Sequence, residues 1–254
     1  MASVAVIGGT GMNQWPGLEV KEKLQIDTPY GAPSAPVLLG RVYGIQALFL
    51  ARHGEGHRIP PHAINYRANL WALRQAGARS VVAIAAVGAI APWLPPGMVA
   101  VPVDLIDYTS DREHTYCDGI HAELQHVEFT EPYSERVRRE LLHGALAARI
   151  DIAEGGVMGV TQGPRLESAA EIKRLKRDGC DMVGMTGMPE AALARELGID
   201  YASLAVSVNW AAGLGSGDIH GEIHQSIEEG MAKVRALLER ALPALRARDE
   251  EMGS

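Results

Sequence analysis

Residues 3–11 read Ser-Val-Ala-Val-Ile-Gly-Gly-Thr-Gly, an apolar run that stops on a glycine turn. β-branched residues followed by glycines predict a strand over 3–7 and a tight turn at Gly8, Gly9, Thr10 and Gly11. Further along, 80–86 (SVVAIAA) is apolar without alternation, which predicts a strand buried on both faces. Runs at 99–106, 156–160, 182–185 and 201–208 predict further strands. Residues 37–39 and 45–51 look like a strand pair around 40–44. Helical periodicity covers 65–77, stopped by Gly77, and then 134–150, 168–178, 189–198 and the amphipathic stretch 223–248. Strands alternating with helices predict an α/β fold with a largely parallel, helix-covered sheet. No repeat or low-complexity linker interrupts the pattern, so one domain over 1–254 is expected.

Composition narrows the class. The chain has 254 residues, 47% hydrophobic and 22% charged, with a formal net charge of −7. That balance disfavours general nucleic-acid binding, which usually shows a basic footprint, so an anionic ligand would need a local basic cluster. No run is apolar and long enough for a membrane span, and the start lacks the pattern of a secretory signal. Cys117 and Cys180 form neither a disulfide framework nor a zinc spacing; free thiols in a reducing cytoplasm are the simpler expectation.

In open α/β sheets, ligands bind at the carboxyl ends of strands. Several predicted strands end in useful donors. The first delivers Thr10 among glycine amides that could cradle an anion. The strand over 45–51 runs into Arg52-His53, a bidentate cation beside a titratable ring, both suited to phosphate. The strand at 182–185 leads to Thr186, and that at 201–208 to Asn209. Each has a plain alternative: a glycine turn, a surface ion pair, a turn-capping asparagine, a rigid Gly-Pro-Arg bend at 163–165. Their joint occurrence favours a site for phosphate and a planar heterocycle.

Several stretches carry a wider resemblance. They include VAVIGGTGM (4–12), LARHGEGHRIPPHAINYRANLWAL (50–73), YCDGIH (116–121), HVEFTEPYS (126–134), GVTQGPRLESAAEI (159–172) and DMVGMTGMPEAALARELGIDYASLAV (181–206). Together with Asn209 the chain resembles the methylthioadenosine phosphorylase and trimeric purine nucleoside phosphorylase family, from the first strand to the last helix. That resemblance implies a single-domain nucleoside phosphorylase fold with a mixed, mostly parallel sheet. It implies no cofactor, inorganic phosphate being a co-substrate that attacks the anomeric carbon as the purine leaves. Phosphate would be held by Thr10, Arg52, His53, the Ala86 amide and Thr186. Ala85 stands where relatives have a phosphate-bonding threonine. Met185 would pack on the ribose, and Val183, Leu166, Glu167, Asn209 and Ala211 would surround the base. Asn209 and His53 take the catalytic roles. His126 resembles a residue reaching into a neighbouring subunit's site, which implies a homotrimer. Positioning phosphate against the sugar can lower the barrier by roughly 7–11 kcal/mol.

Departures from the family pattern point to the substrate. Relatives that use 6-aminopurines end the last strand in Asp-x-Asp; here those places hold Asn209 and Ala211. An asparagine amide can donate to O6 while its carbonyl accepts from N7–H, and Glu167 can accept from the N1–H of a 6-oxopurine. A mismatched base would leave buried polar groups unpaired. As a plain alternative, Glu167 is a carboxylate favoured by a helix N-terminus. At the sugar's 5′ end, Ile223 occupies the place of a histidine that bonds a 5′-hydroxyl in ordinary purine nucleoside phosphorylases. Isoleucine can instead pack a methylthio group, at about 0.8 kcal/mol per methylene-sized unit, although it could also be simple core, and His220 nearby could still reach a hydroxyl. A 6-oxopurine with a methylthio sugar describes S-methyl-5′-thioinosine. Inosine/guanosine and methylthioadenosine phosphorylases are the near alternatives. A nicotinamide-dependent oxidoreductase would need an acidic ribose ligand, but Asp27 sits in a Thr-Pro-Tyr-Gly loop. A non-catalytic nucleoside-binding protein is a further alternative.

Overall fold

In a computed structural model the chain forms a mixed sheet of eleven strands with helices on both faces. The structure describes residues 2–12, 15–117, 119, 123–215 and 219–252; of 219–222, 224 and 225 it describes the backbone alone. The strands are β1 (Val4–Gly8), β2 (Glu19–Leu24), β3 (Val37–Val42), β4 (Ile45–Ala51), β5 (Ser80–Ala89) and β6 (Val99–Val101). They continue with β7 (Asp104–Asp107), β8 (Ala153–Glu154), β9 (Val157–Val160), β10 (Met182–Gly184) and β11 (Asp200–Trp210). The helices are α1 (Tyr66–Gln75), α2 (Glu135–Ala148), α3 (Ala169–Arg177), α4 (Glu190–Glu196) and α5 (Ile219–Glu251).

The apolar strands alternate between two cores. Ala5 and Ile7 pack with Leu70 and Leu73 of α1 and Leu193 of α4. Val4 and Val6 face the other way, with Val137 and Leu141 of α2 and Leu237 and Leu238 of α5. Helices cover both faces, and for that reason β1 and β5 read as continuous apolar runs rather than alternating ones. Asn65 accepts from Ala68 N at 3.0 Å to start α1, and Ser168 with Glu171 forms a reciprocal capping box on α3.

β5 organises the sheet. β11 pairs along its full length on one edge, in parallel. The other edge is shared: β1 pairs in parallel with Ser80–Ala83, and β10 pairs antiparallel with Gly88 and Ala89. Between them, Ile84–Val87 have no strand partner on that edge. Because β1 and β10 run in opposite senses, their carboxyl ends approach this gap from opposite directions.

Several expected elements change on folding. The run 99–106 is two strands, split at Pro102, where the chain leaves β11 for β9. Proline has no N–H for a ladder there. β2 was not predicted: its sequence EVKEKL is almost wholly exposed, an edge strand whose charges hide the signature. β8 is too short to show in sequence. The strand at 45–51 pairs with β3 as expected, but β3 runs on through Gly40 to Val42, with the turn at Tyr43 and Gly44.

Candidate active site

A cavity of about 420 Å³ opens at the gap in the sheet. The first strand contributes its glycine turn. A Cβ on Gly9 would lie 2.5 Å from the Ile84 carbonyl oxygen and 2.8 Å from Arg52 Nη1. Only glycine lets the turn lie this close to β5, which brings Thr10 to the cavity wall. From the other side β10 delivers Met185 and Thr186, and Thr186 is buried.

Arg52 follows β4 directly and is 1% exposed. Its Nε and Nη2 donate to the two oxygens of Glu190, each at 2.7 Å, and Nη1 donates to the Ile84 carbonyl at 2.8 Å. Tyr201 adds a hydroxyl to Glu190 Oε1 at 2.8 Å. Burial works against the guanidinium charge, but the Glu190 carboxylate outweighs it and holds the Arg52 pKa above its ordinary value. A guanidinium has five N–H groups, so two remain for an anion in the cavity. The Ile84 carbonyl points into the gap. Alternate residues of a strand present their polar backbone to the same edge, so the Ala86 N–H faces the gap too.

His53 is buried beside Arg52, and its Nδ1 lies 2.8 Å from the Ile59 carbonyl. A carbonyl can only accept, so Nδ1 carries the proton and Nε2 is an acceptor in the neutral ring. Burial and the Arg52 charge lower the His53 pKa to about 4. The free ring is therefore neutral at pH 7, and the cation beside it is Arg52 alone. Its Nε2 suits a protonated phosphate oxygen. His57 packs against it, tilted by 34° with ring centroids 4.2 Å apart, and also lines the cavity.

The base end is built from β11 and the β9–α3 loop. The β5–β11 register slips between Ser207 and Asn209, leaving Val208 as an extra residue. Side chains of neighbouring residues normally face opposite sides of a strand; the bulge lets both Val208 and Asn209 line the cavity. Asn209 Nδ2 donates one proton to the Trp210 carbonyl at 2.7 Å, which leaves its second proton and its carbonyl oxygen for a ligand. Leu166, Glu167, Val183, Ala211 and Ile223 line the same space, as do Ala85 and Ala86.

One predicted residue among those described is not brought in. His126 is exposed and is not among the described residues that line the cavity. The His220 side chain lies outside the described residues.

Two residues without a sequence signal hold the site in place. Glu190 stands in the first turn of α4, where a carboxylate is common. Arg112 is buried and donates to the carbonyls of Gln162, Met185 and Met188 at 2.8, 2.9 and 2.6 Å. It thereby ties the end of β9 to the end of β10. Neither partner set is local in sequence, so no spacing could have shown it.

An anion cradle opposed to a slot for a planar base defines a phosphate-dependent nucleoside-cleaving enzyme. The Phosphorylase superfamily model matches residues 3–243, and the chain belongs to that family. Its relatives include "Probable S-methyl-5'-thioinosine phosphorylase" of Pseudomonas syringae, 52% identical over 96% of this chain and all of that one. The 6-oxopurine nucleoside phosphorylase of Pyrococcus furiosus is 38% identical over 96% of this chain and 94% of its own. Methylthioadenosine phosphorylase of Schistosoma mansoni, solved with adenine, superposes with a TM-score of 0.90 at 30% identity, covering 97% of this chain and 93% of that one.

Proposed function

We propose that the chain cleaves S-methyl-5′-thioinosine with orthophosphate, giving hypoxanthine and 5-methylthioribose 1-phosphate. A phosphate oxygen bonds to C1′ as the C1′–N9 bond breaks. The electron pair of that bond passes to the purine, and the proton that the hydrogenphosphate gives up is made good at N7 through solvent, so that hypoxanthine leaves neutral. Thr10, Arg52, Thr186 and the Ala86 amide hold the nucleophile, and His53 accepts from its P–OH. Asn209 meets O6 and N7–H, Glu167 accepts from N1–H, and Met185 lies on the ribose.

The observation that carries this reading is the shared cavity. Asn209 and Glu167 line it together with Ile223, an acceptor–donor pair for a 6-oxopurine alongside an apolar group for a methylthio end. The Pseudomonas relative's name supports the same substrate. His126 is exposed and is not among the described residues lining this cavity; by the family resemblance it would serve a neighbour's site in a homotrimer.

Base release from methylthioinosine, inosine and methylthioadenosine, each with and without phosphate, tests the proposal. Phosphate-dependent cleavage should be fastest with methylthioinosine. A preference for methylthioadenosine, or cleavage independent of phosphate, would overturn it. The double variant Asn209→Asp/Ala211→Asp should shift preference towards the 6-aminopurine.

A further inference from the structure

We propose that Thr161 is a positioning residue for base selection: its hydroxyl latches Glu167 into the purine cavity. The inference rests on Glu167 being the acceptor for N1–H. Thr161 directly follows β9. Its backbone N–H donates to the Gly184 carbonyl at 2.8 Å, and its own carbonyl accepts from Arg112 Nη2 at 3.3 Å, so its place is set by β10 and the buried guanidinium. Its Oγ1 lies 2.5 Å from Glu167 Oε1 and 3.4 Å from the Gly184 carbonyl. A hydroxyl has one proton, and those distances give it to the carboxylate.

Glu167 stands on a boundary. It lines the purine cavity and also a second, polar cavity of about 590 Å³ that contains Arg165 and Arg174. Thr161 lines only the second of these. Without a donor behind it, the carboxylate is free to turn towards those guanidinium groups and away from a base. With Oε1 held by Thr161, Oε2 remains for the ligand, and the group is kept as an acceptor. An acceptor in fixed orientation favours a purine bearing N1–H and leaves adenine, whose N1 has only a lone pair, facing a carboxylate.

The test uses Thr161→Val, which keeps the shape and removes the hydroxyl, with Thr161→Ser, Glu167→Leu and the Thr161→Val/Glu167→Leu double variant. The readouts are kcat/KM for methylthioinosine, the ratio of hypoxanthine to adenine Kd in the presence of phosphate, and Tm. Thr161→Val should lose about 10-fold or more in kcat/KM, mainly through KM, as expected for one hydrogen bond to a charged group. It should also lower hypoxanthine selectivity at unchanged Tm, and Thr161→Ser should restore both. In the Glu167→Leu background, where the hydroxyl has no acceptor at 167, the valine exchange should add nothing. Equal weakening of both bases by Thr161→Val, or a full further loss in the double variant, would overturn the latch while leaving Glu167's role standing. If Glu167→Leu, which has no acceptor for N1–H, left selectivity intact, the base reading would fall and the latch with it.

Discussion

At position 52 a full positive charge sits 1% exposed against a carboxylate that is wholly buried. Such a pair is worth little as a stability device, because desolvation offsets most of the attraction, yet breaking it typically costs about 3–5 kcal/mol. Its use here is orientation: three of the five guanidinium N–H groups are committed to Glu190 and Ile84, which fixes the plane in which the other two lie. Its neighbour His53 carries a pH signature. The folded ring has its pKa lowered to about 4 by burial and the Arg52 charge, below the ordinary value of 6.5. Between those values the unfolded chain binds a proton that the folded chain does not. Stability contributed by the neutral ring is therefore complete above pH 6.5 and is lost as pH falls towards 4. Burial, followed by the Arg52 charge, shifts His57 in the same direction. Thermal denaturation of wild type and His53→Gln at pH 7.5, 5.5 and 4.5 should show a steeper fall in Tm for wild type. Parallel curves would contradict the assignment.

At the scale of elements, the site depends on two strand ends that face each other. In a sheet with every strand parallel, all carboxyl ends lie on one edge and donors converge from one side only. The antiparallel insertion of β10 after β1 leaves Ile84–Val87 open and brings Thr10 and Thr186 to opposite walls. The glycine turn after β1 is the tightest fit in this arrangement. Gly9→Ala should place a methyl group against the Ile84 carbonyl and Arg52 Nη1. Phosphate KM should rise at least 10-fold while the nucleoside KM changes little, measured by initial rates at saturating nucleoside. A variant with wild-type phosphate KM would show that the turn does not shape the anion site. The β11 bulge acts similarly at the other end of the cavity: with one residue fewer, Asn209 would face the other side of its strand.

Across the whole molecule, the ends of the strands away from the cavity carry a different network. Asp249 in the last turns of α5 accepts from Ser80 Oγ at 2.7 Å and pairs with Arg136 at 3.0 Å, while Arg136 also holds Asp200 at 2.6 Å. The longest helix is thus fastened to α2 and to the starts of β5 and β11. Asp249→Ala should destabilise the fold by about 1–3 kcal/mol in urea melts and leave kcat/KM near wild type. Unchanged stability, or a selective loss of activity, would count against a purely structural role.

Sequence alone determined the alternation of strands and helices, the glycine turn, and the donors waiting at strand ends, because each is written in neighbouring residues: periodicity, β-branching, caps. It also carried the family resemblance and with it Asn209, Glu167 and Ile223. Only the tertiary structure decided that β10 runs against β5, that His53 is a neutral acceptor, and that Glu190, Arg112 and Thr161 stand behind the site. Most of these follow from contacts between residues dozens of positions apart, such as Arg52 with Glu190, while His53 meets Ile59, and Thr161 meets Glu167, across irregular loops that show no periodicity. A buried charge or hydroxyl has no local pattern, because its partner is chosen by packing rather than by spacing.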